Sequence, residues 1–448
     1  MKYIYILLVS MLFITACSTD LDQTPPNIAG SDTLTDFEGV LNASYYYQLG
    51  TTTPLAVMAS FRSDNALMDE APYTDFDAFD NALPSMENQF FGPFYTALYK
   101  SILSANNVIE KSTVADEVSQ AKFLRALSYF KLVKVFGDVS VILTPQPTIA
   151  EIPTVDLARK PAADVYNNVI IPDLMDAMAG SPNYSAKALL GKVYMQMGNP
   201  TSAVTYLQDV VDNGGFSLEG DIDGVFGFDN EGNSEIIYAT EVSSSIVDEY
   251  TFGSDFWNWF VGDDSKADNP VDSDLVAAFD AVAADIVDTD LVTPGNQGED
   301  LRRAVTLSAD NLTSIKFPKE GDNGSEHDWI EIRLADIILL YAEALNENTN
   351  ASGTESNTIL SMLDDIRTRA GLTSLTGTVM TQTDVRQVIA DERRLELAFE
   401  GHRWFDLVRT GTVDAEMGVT VSSNYYVFPI PVSEVLATNG VITQNPGY

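Results

Sequence analysis

The chain of 448 residues contains one cysteine, Cys17. An internal disulfide is therefore impossible, and so is a metal site built on several thiolates. Imidazole is nearly as scarce: His327 and His402 are the whole supply, too few for the His-rich sites of zinc catalysis. Basic residues are the third shortage, with 25 Lys and Arg against 65 Asp and Glu, a formal charge of −40. Nucleic-acid binding needs a surplus of cations to displace the counterions of the phosphate backbone, so there is no nucleic-acid partner to expect. An anionic lipid surface is disfavoured on the same ground. Such a charge suits solubility in a salty medium better than it marks a binding surface. What is present is 45% apolar residues, enough to bury a real core. The length allows about three domains or one large helical one.

The N-terminus reads MKYIYILLVSMLFITAC. Lys2 supplies a short positive region, and Ile4 to Ile14 an apolar run of signal-peptide length, too short to span a bilayer. Ile14-Thr15-Ala16-Cys17 has the aliphatic-small-small-cysteine order of a bacterial lipobox. Residues 1–16 are therefore expected to be a lipoprotein signal peptide, Cys17 to be lipidated, and residues 17–30 to form a polar tether. An ordinary signal peptide with an incidental cysteine is the competing reading. The chain's only thiol standing where the pattern requires one favours the lipobox. Two or more acyl chains anchor a protein stably, whereas one does so marginally.

Residues 31–448 read as a single, mainly α-helical domain. Helical periodicity places its scaffold at residues 31–50, 94–215 and 326–411. The first helix is expected over Asp32–Tyr47, with Asp32 or Thr33 as N-cap. Phe94–Lys111, Ser119–Phe136 and Pro161–Ala179 follow as helices. From Ala186 to Asn213, the residues Leu190-Gly191, Tyr194, Gly198 and Ala203 keep the spacing of a tetratricopeptide hairpin, whose small residues let antiparallel helices pack closely. Arg333–Asn346 with Ser356–Ala370 repeats that plan more loosely. Stacked hairpins of this kind form a curved scaffold with a concave face. Residues 51–93 and 216–319 read instead as long irregular loop excursions, rich in Asp, Asn, Gly and aromatic rings. A few short β-strands complete the reading, at Glu235–Val242, after Val139, and before Pro429. Asp221, Asp223 and Asp229 do not have the spacing of an EF-hand loop, and no metal or other cofactor is expected.

The stretch Asp384–Gly411, DVRQVIADERRLELAFEGHRWFDLVRTG, is the most informative. Val385, Val388, Ile389, Leu395 and Phe399 fall at helical spacing, so it reads as a helix. Glu392, Glu396 and Glu400 stand four apart, where like charges repel on a surface helix. Cations are close at hand in Arg393, Arg394 and Arg403, and in Arg367 and Arg369 on the preceding helix. A packed structural ion network of Glu392, Arg393, Glu396, Glu400 and Arg403 is therefore expected, because Arg pairs with carboxylates bidentately. A glycosidase would need two carboxylates facing each other across a cleft. His402, beside Trp404 and Phe405, reads as a core residue, and no catalytic motif stands out.

This stretch resembles the C-terminal signature of the SusD/RagB family, the glycan-capturing outer-membrane lipoproteins of Bacteroidetes-type bacteria. Glu392, Arg393, Glu396, Leu397, Glu400, Gly401, Arg403, Trp404, Asp406, Leu407 and Arg409 fit it. FLRALSYFKLVKVFGD at Phe123–Asp138 resembles the family's N-terminal half, and FPIPVSE and QNPGY resemble its end. Asp20 and Asp22 resemble an acidic surface-export signal. The resemblance implies a non-enzymatic surface lipoprotein that captures oligosaccharide or polysaccharide and hands it to a SusC-like TonB-dependent transporter.

The two excursions match no family pattern, and the glycan site is expected there. Sugar C–H faces stack on aromatic rings while their hydroxyls need polar partners. The expected platform is Trp257, Trp259 and Phe260 with Tyr73, Phe76 and Phe79, the polar partners being Asp64, Asn65, Asp69 and Asn258. In an extended run Trp257 and Trp259 share one face and Asn258 takes the other. Neutral glycans suit so acidic a chain better than uronates or sulfated chains. A surface glycoside hydrolase and a tetratricopeptide protein-interaction scaffold are the alternatives.

Overall fold

The computed structural model describes residues 35–145, 154–180, 183–242, 256–261, 266–268, 270–282, 300–317, 327–348 and 354–448. The expected signal peptide, Cys17 and the tether lie outside them. Helix α1 runs over Phe37–Phe61, capped by Asp36, whose Oδ1 accepts from the Gly39 N–H at 2.9 Å. The expected caps Asp32 and Thr33 lie outside the described residues. The first excursion was expected to begin at residue 51, yet α1 continues through Gly50-Thr51-Thr52-Thr53-Pro54 to Phe61, fully buried over that span. Burial overrides local propensity here. The Thr51 and Thr52 hydroxyls turn back onto the Gln48 and Leu49 carbonyls at 2.7 and 3.1 Å, so two polar side chains are satisfied without leaving the helix.

Helices α2 (Gly92–Lys111) and α3 (Ala115–Phe136) pack against α1 and against each other. Their interface carries a polar seam. Gln48 Nε2 donates to Ser101 and Ser128, at 2.9 and 2.8 Å, and Lys131 Nζ reaches Thr51 at 2.9 Å and the Glu331 carboxylate. A helical run over residues 162–177 (α4) leads into the hairpin of α5 (Asn183–Gln196) and α6 (Pro200–Asn213). In that hairpin Gly191 lies under Leu207, whose Cδ2 is 2.3 Å from where a Cβ would stand. The small residue picked out by the tetratricopeptide spacing is thus the point of closest approach.

The second excursion holds the expected strand, as β3 (Ile236–Thr240), and is more ordered than expected in two helices, α7 (Ser273–Ala281) and α8 (Leu301–Thr306). β3 pairs antiparallel with β4 (Trp329–Arg333), Thr240 opposite Trp329, just as β1 (Val139–Ser140) pairs with β2 (Arg159–Lys160). Arg302, Thr306, Ser314 and Lys316 of the excursion are buried, so this part belongs to the core.

Helices α9 (Leu334–Asn348) and α10 (Thr354–Arg369) form the second hairpin, and α9 also packs on α6, so hairpins stack in sequence. The stretch expected as one helix is two: α11 (Gln382–Glu396) and α12 (Arg403–Thr410), joined by a turn at residues 397–402. The expected strand before Pro429 is also absent; that segment holds a 3₁₀ turn at Ser423–Tyr425, and the small helix α13 (Val432–Ala437) follows. The architecture is mainly helical, of tetratricopeptide-like hairpins with a few short strands. Among the described residues, no helix is long and apolar enough to cross a membrane.

Candidate functional site

The break between α11 and α12 is made by cations from distant parts of the chain. In a continuing helix the Glu396 carbonyl accepts from the N–H four residues on. Here it accepts from Lys316 Nζ at 2.7 Å and Arg333 Nη2 at 2.8 Å, and Lys316 also reaches the Ala398 carbonyl at 3.1 Å. Buried cations take the acceptors that helix continuation would use. The chain then turns through positive φ at Phe399 and Gly401. At Gly401 (φ +77°) a Cβ would lie 3.1 Å from Trp329 Cζ2, so only glycine fits both the turn and the indole beneath it.

Around this turn the charges form closed sets. Lys316, Arg333, Arg369, Arg302 and Arg367 meet Glu400, Glu235, Glu396, Glu392 and Asp300, five cations and five carboxylates in one network, its two halves joined by Arg302 and Glu396 at 3.7 Å. Arg333 is its hub: it donates to Glu400 at 2.6 and 2.8 Å, to Glu235 at 2.7 Å and to Glu396 at 2.7 Å. Burial alone would raise the Glu396 carboxyl. Arg333, Arg369, Arg302 and Lys316 outweigh it and hold the group down at about 2. Glu400 is lowered against burial in the same way, chiefly by Arg333 and Lys316. A second set runs Lys192–Asp336–Arg393–Asp406–Arg409–Glu343, three cations with three carboxylates. A third joins Arg394 and Arg403 to Asp64 and Glu416.

The five residues of the expected ion network are therefore distributed over these three sets. Glu392, Glu396 and Glu400 belong to the first, Arg393 to the second and Arg403 to the third. Arg302, Lys316, Arg333, Glu235 and Asp300 were not foreseen. Their signal in the sequence is faint: isolated charges inside stretches that read as loop or strand.

A cleft of about 440 Å³ opens between the α5–α6 turn and helices α9, α11 and α12. Its size suits a small ligand. None of its lining residues is Phe, Tyr or Trp, and its arginines are committed. Arg386 forks onto Glu347 at 2.6 and 2.8 Å, Arg409 onto Glu343, and Arg403 onto Asp64 at 2.7 and 2.6 Å. Such a lining offers no ring face for a sugar.

The expected aromatic platform needs correction. Trp259, Phe260 and Phe76 are in the core, at 0%, 3% and 1% exposure, because they pack on α1 and on one another. Phe260 stacks on Phe61 with centroids 5.0 Å apart, Phe76 meets Phe61 and Phe90, and Trp259 meets Phe90 edge-on. Phe256–Trp259 winds into a 3₁₀ turn instead of the expected extended run. The Trp257 side chain lies outside the described residues. Asp64 and Asn65 are buried as well: the Asp64 carboxylate takes the Arg403 fork, and Asn65 Oδ1 accepts from Arg394 Nε at 3.0 Å. These polar groups are spent on α11 and α12, not on a ligand.

At the surface of this aromatic mass remain Tyr73 and Phe79, both half-buried, half-buried Asn258, and exposed Asp69. Tyr73 meets Trp259 edge-on at 5.3 Å and accepts from Gln89 Nε2 at 3.0 Å. Phe79 stacks on Trp404 at 5.9 Å. Beneath it lies Arg62, unforeseen from the sequence. Its guanidinium sits 4.8 Å from the Phe79 centroid and 5.3 Å from that of Phe428, and donates to the Tyr425 carbonyl and the Tyr448 hydroxyl at 2.9 and 3.1 Å. It ties the C-terminal QNPGY segment to the end of α1.

Comparison with known proteins agrees at both ends of the chain. The family model described as "SusD family" matches residues 313–448, and one described as "Starch-binding associating with outer membrane" matches residues 19–194. The chain belongs to the SusD/RagB family. The SusD-like protein P2 of Formosa agariphila is 25% identical over the full length of both chains. A SusD superfamily protein from Bacteroides vulgatus superposes with a TM-score of 0.74 at 21% identity, over 92% of this chain and 99% of that one. A laminarin-binding SusD-like protein superposes with a TM-score of 0.69 at 25% identity, over 93% and 99%. The closed ion networks are thus the interior of a SusD-like fold, and the SusD/RagB family is one of glycan binders.

Proposed function

We propose that this SusD-like protein captures oligosaccharides at the cell surface and delivers them to a SusC-like TonB-dependent transporter, held on the outer membrane by a lipid on Cys17. The observation that carries the reading is the full-length match to a glycan-binding family, a structural neighbour being named for laminarin. The commitment of the conspicuous carboxylates to arginines speaks against a hydrolase. The charge of −40 favours neutral glycans over uronates or sulfated chains, and a neutral β-glucan such as laminarin is the first probe. The glycan contact is assigned to what stays partly exposed of the expected platform, Asn258, Tyr73, Phe79 and Asp69, together with Trp257, whose side chain lies outside the described residues.

Calorimetric titration with laminarin oligosaccharides and a panel of other neutral glycans tests this. Saturable binding to at least one, with no release of reducing ends, is expected. Trp257→Ala or Tyr73→Ala should cost that glycan tenfold or more in affinity, about 1.4 kcal/mol, at unchanged thermal stability. No binding across the panel, or new reducing ends, overturns the reading. Wild-type affinity in both variants moves the site elsewhere.

A further inference from the structure

Lys134 stands outside every charge set described above. It lies on α3, one turn beyond Lys131, and its half-buried side chain faces inward. Its ammonium rests 4.3 Å over the Phe405 ring and 5.8 Å from that of Phe130, and no carboxylate among the described residues pairs with it. Cation–π contact compensates a buried ammonium only in part. Of the ionised groups around it, Lys192 and Lys131 oppose its charge while Glu331 and Asp406 favour it. Those two lysines are already committed, Lys131 to Glu331 and Lys192 to Asp336. Since the neighbouring sets balance, Lys134 remains as a half-buried positive charge with no carboxylate partner among the described residues.

Beside it is a small, partly open pocket. It measures about 30 Å³ and is lined by Lys131, Lys134, Lys192 and His402, with Leu55, Phe130 and Trp329 among its apolar walls. One water needs roughly 10–15 Å³ on this measure, so there is room for a single small ion or a water or two. The His402 ring makes no hydrogen bond to another described residue, and so keeps a donor to spare for such an occupant. Glu331 and Glu400 also line the pocket, but each is already engaged, by Lys131 and by Arg333 with Lys316.

We propose that this pocket is a monovalent-anion site, which takes a halide such as chloride onto the Lys134 ammonium, with Lys192 and His402 as the other donors. The ion completes the charge balance where α3, α5, β4 and the turn before α12 meet, and so links their packing to the anion in solution. Without it, loss of hydration together with Lys192 holds the Lys134 amine down at about 7, so that proton loss is the alternative way to remove the charge.

The test is thermal unfolding of the purified protein in sodium chloride, bromide or gluconate at constant ionic strength, with anomalous diffraction from bromide-soaked crystals. The site predicts a Tm rise of about 1–3 °C in chloride and bromide that saturates and that gluconate does not reproduce. It also predicts an anomalous peak against the Lys134 ammonium. Lys134→Met should abolish both the halide-dependent shift and the peak; if that variant does not fold, Lys134→Gln and the wild-type peak decide. Equal melting in all three salts with no peak at Lys134 overturns the proposal in favour of water and a neutral amine. A peak without a halide-specific shift is binding at crystal concentration only, and overturns it too.

Discussion

At the scale of single residues, this protein's most conspicuous chemistry is structural. Glu396 is fully buried and accepts from Arg333 and Arg369, at 2.7 and 2.6 Å. Removing one member of such a set leaves its partners charged and unpaired, at a cost of about 3–5 kcal/mol. Glu396→Ala should therefore lower the Tm markedly while the folded fraction keeps its glycan affinity, which calorimetry on protein from the same preparation checks. Lost affinity at unchanged Tm would make the network a binding site. His402 adds a pH dependence with a definite sign. Burial, reinforced by Lys192 and Arg393 against Asp336 and Asp406, lowers the imidazole from 6.5 to about 3. The folded protein thus binds fewer protons than the unfolded chain between these values, so its stability falls as pH drops below 6.5. Glu396 acts lower: its contribution is present above 4.5 and is lost as pH falls towards about 2. Denaturation between pH 6.5 and 4.5 should show a slope that His402→Gln flattens; equal slopes in both proteins would contradict the assignment.

At the scale of elements, spacing was a good guide where helices pack on helices. Gly191 shows why. A helical Gly→Ala change ordinarily gains about 1 kcal/mol from propensity. Here the new Cβ would stand 2.3 Å from Leu207 Cδ2 and 2.6 Å from its Cγ, so α5 and α6 must separate. Overpacking of this kind costs about 1–3 kcal/mol and should win. Denaturant titration should find Gly191→Ala destabilised, and more so Gly191→Val, with Leu207→Ala partly relieving either; a stabilised Gly191→Ala would mean that the hairpin opens without cost. Spacing failed where an element's limits depend on distant partners. The GTTTP run reads as a loop, but it is helix because α2 and α3 bury it and the threonines satisfy themselves on its own carbonyls. The stretch at Asp384–Gly411 reads as one helix, but it is broken because Lys316 and Arg333 capture the Glu396 carbonyl. Neither cation is near it in sequence.

At the scale of the whole molecule, anchorage and charge make the predictions. Cys17→Ala should give a folded protein that no longer partitions with membranes, measured by fractionation; unchanged retention would mean another anchor. A neutral oligosaccharide should bind equally at low and high ionic strength, whereas a sulfated analogue should bind more weakly and recover as salt screens the −40 charge. The sequence by itself determined the helical class, the hairpin spacing and the family, because each is a local pattern or a short-range signature. It also marked Glu392, Glu396 and Glu400 as needing cations. Which cations those are was decided by tertiary structure, since Arg302, Lys316 and Arg333 come from segments 63 to 90 residues away. The aromatic platform was misplaced for the same reason. A ring at position 259 or 76 is equally apolar on a surface or in a core, and only the packing of α1, Phe61 and Phe90 around it decides which face meets water.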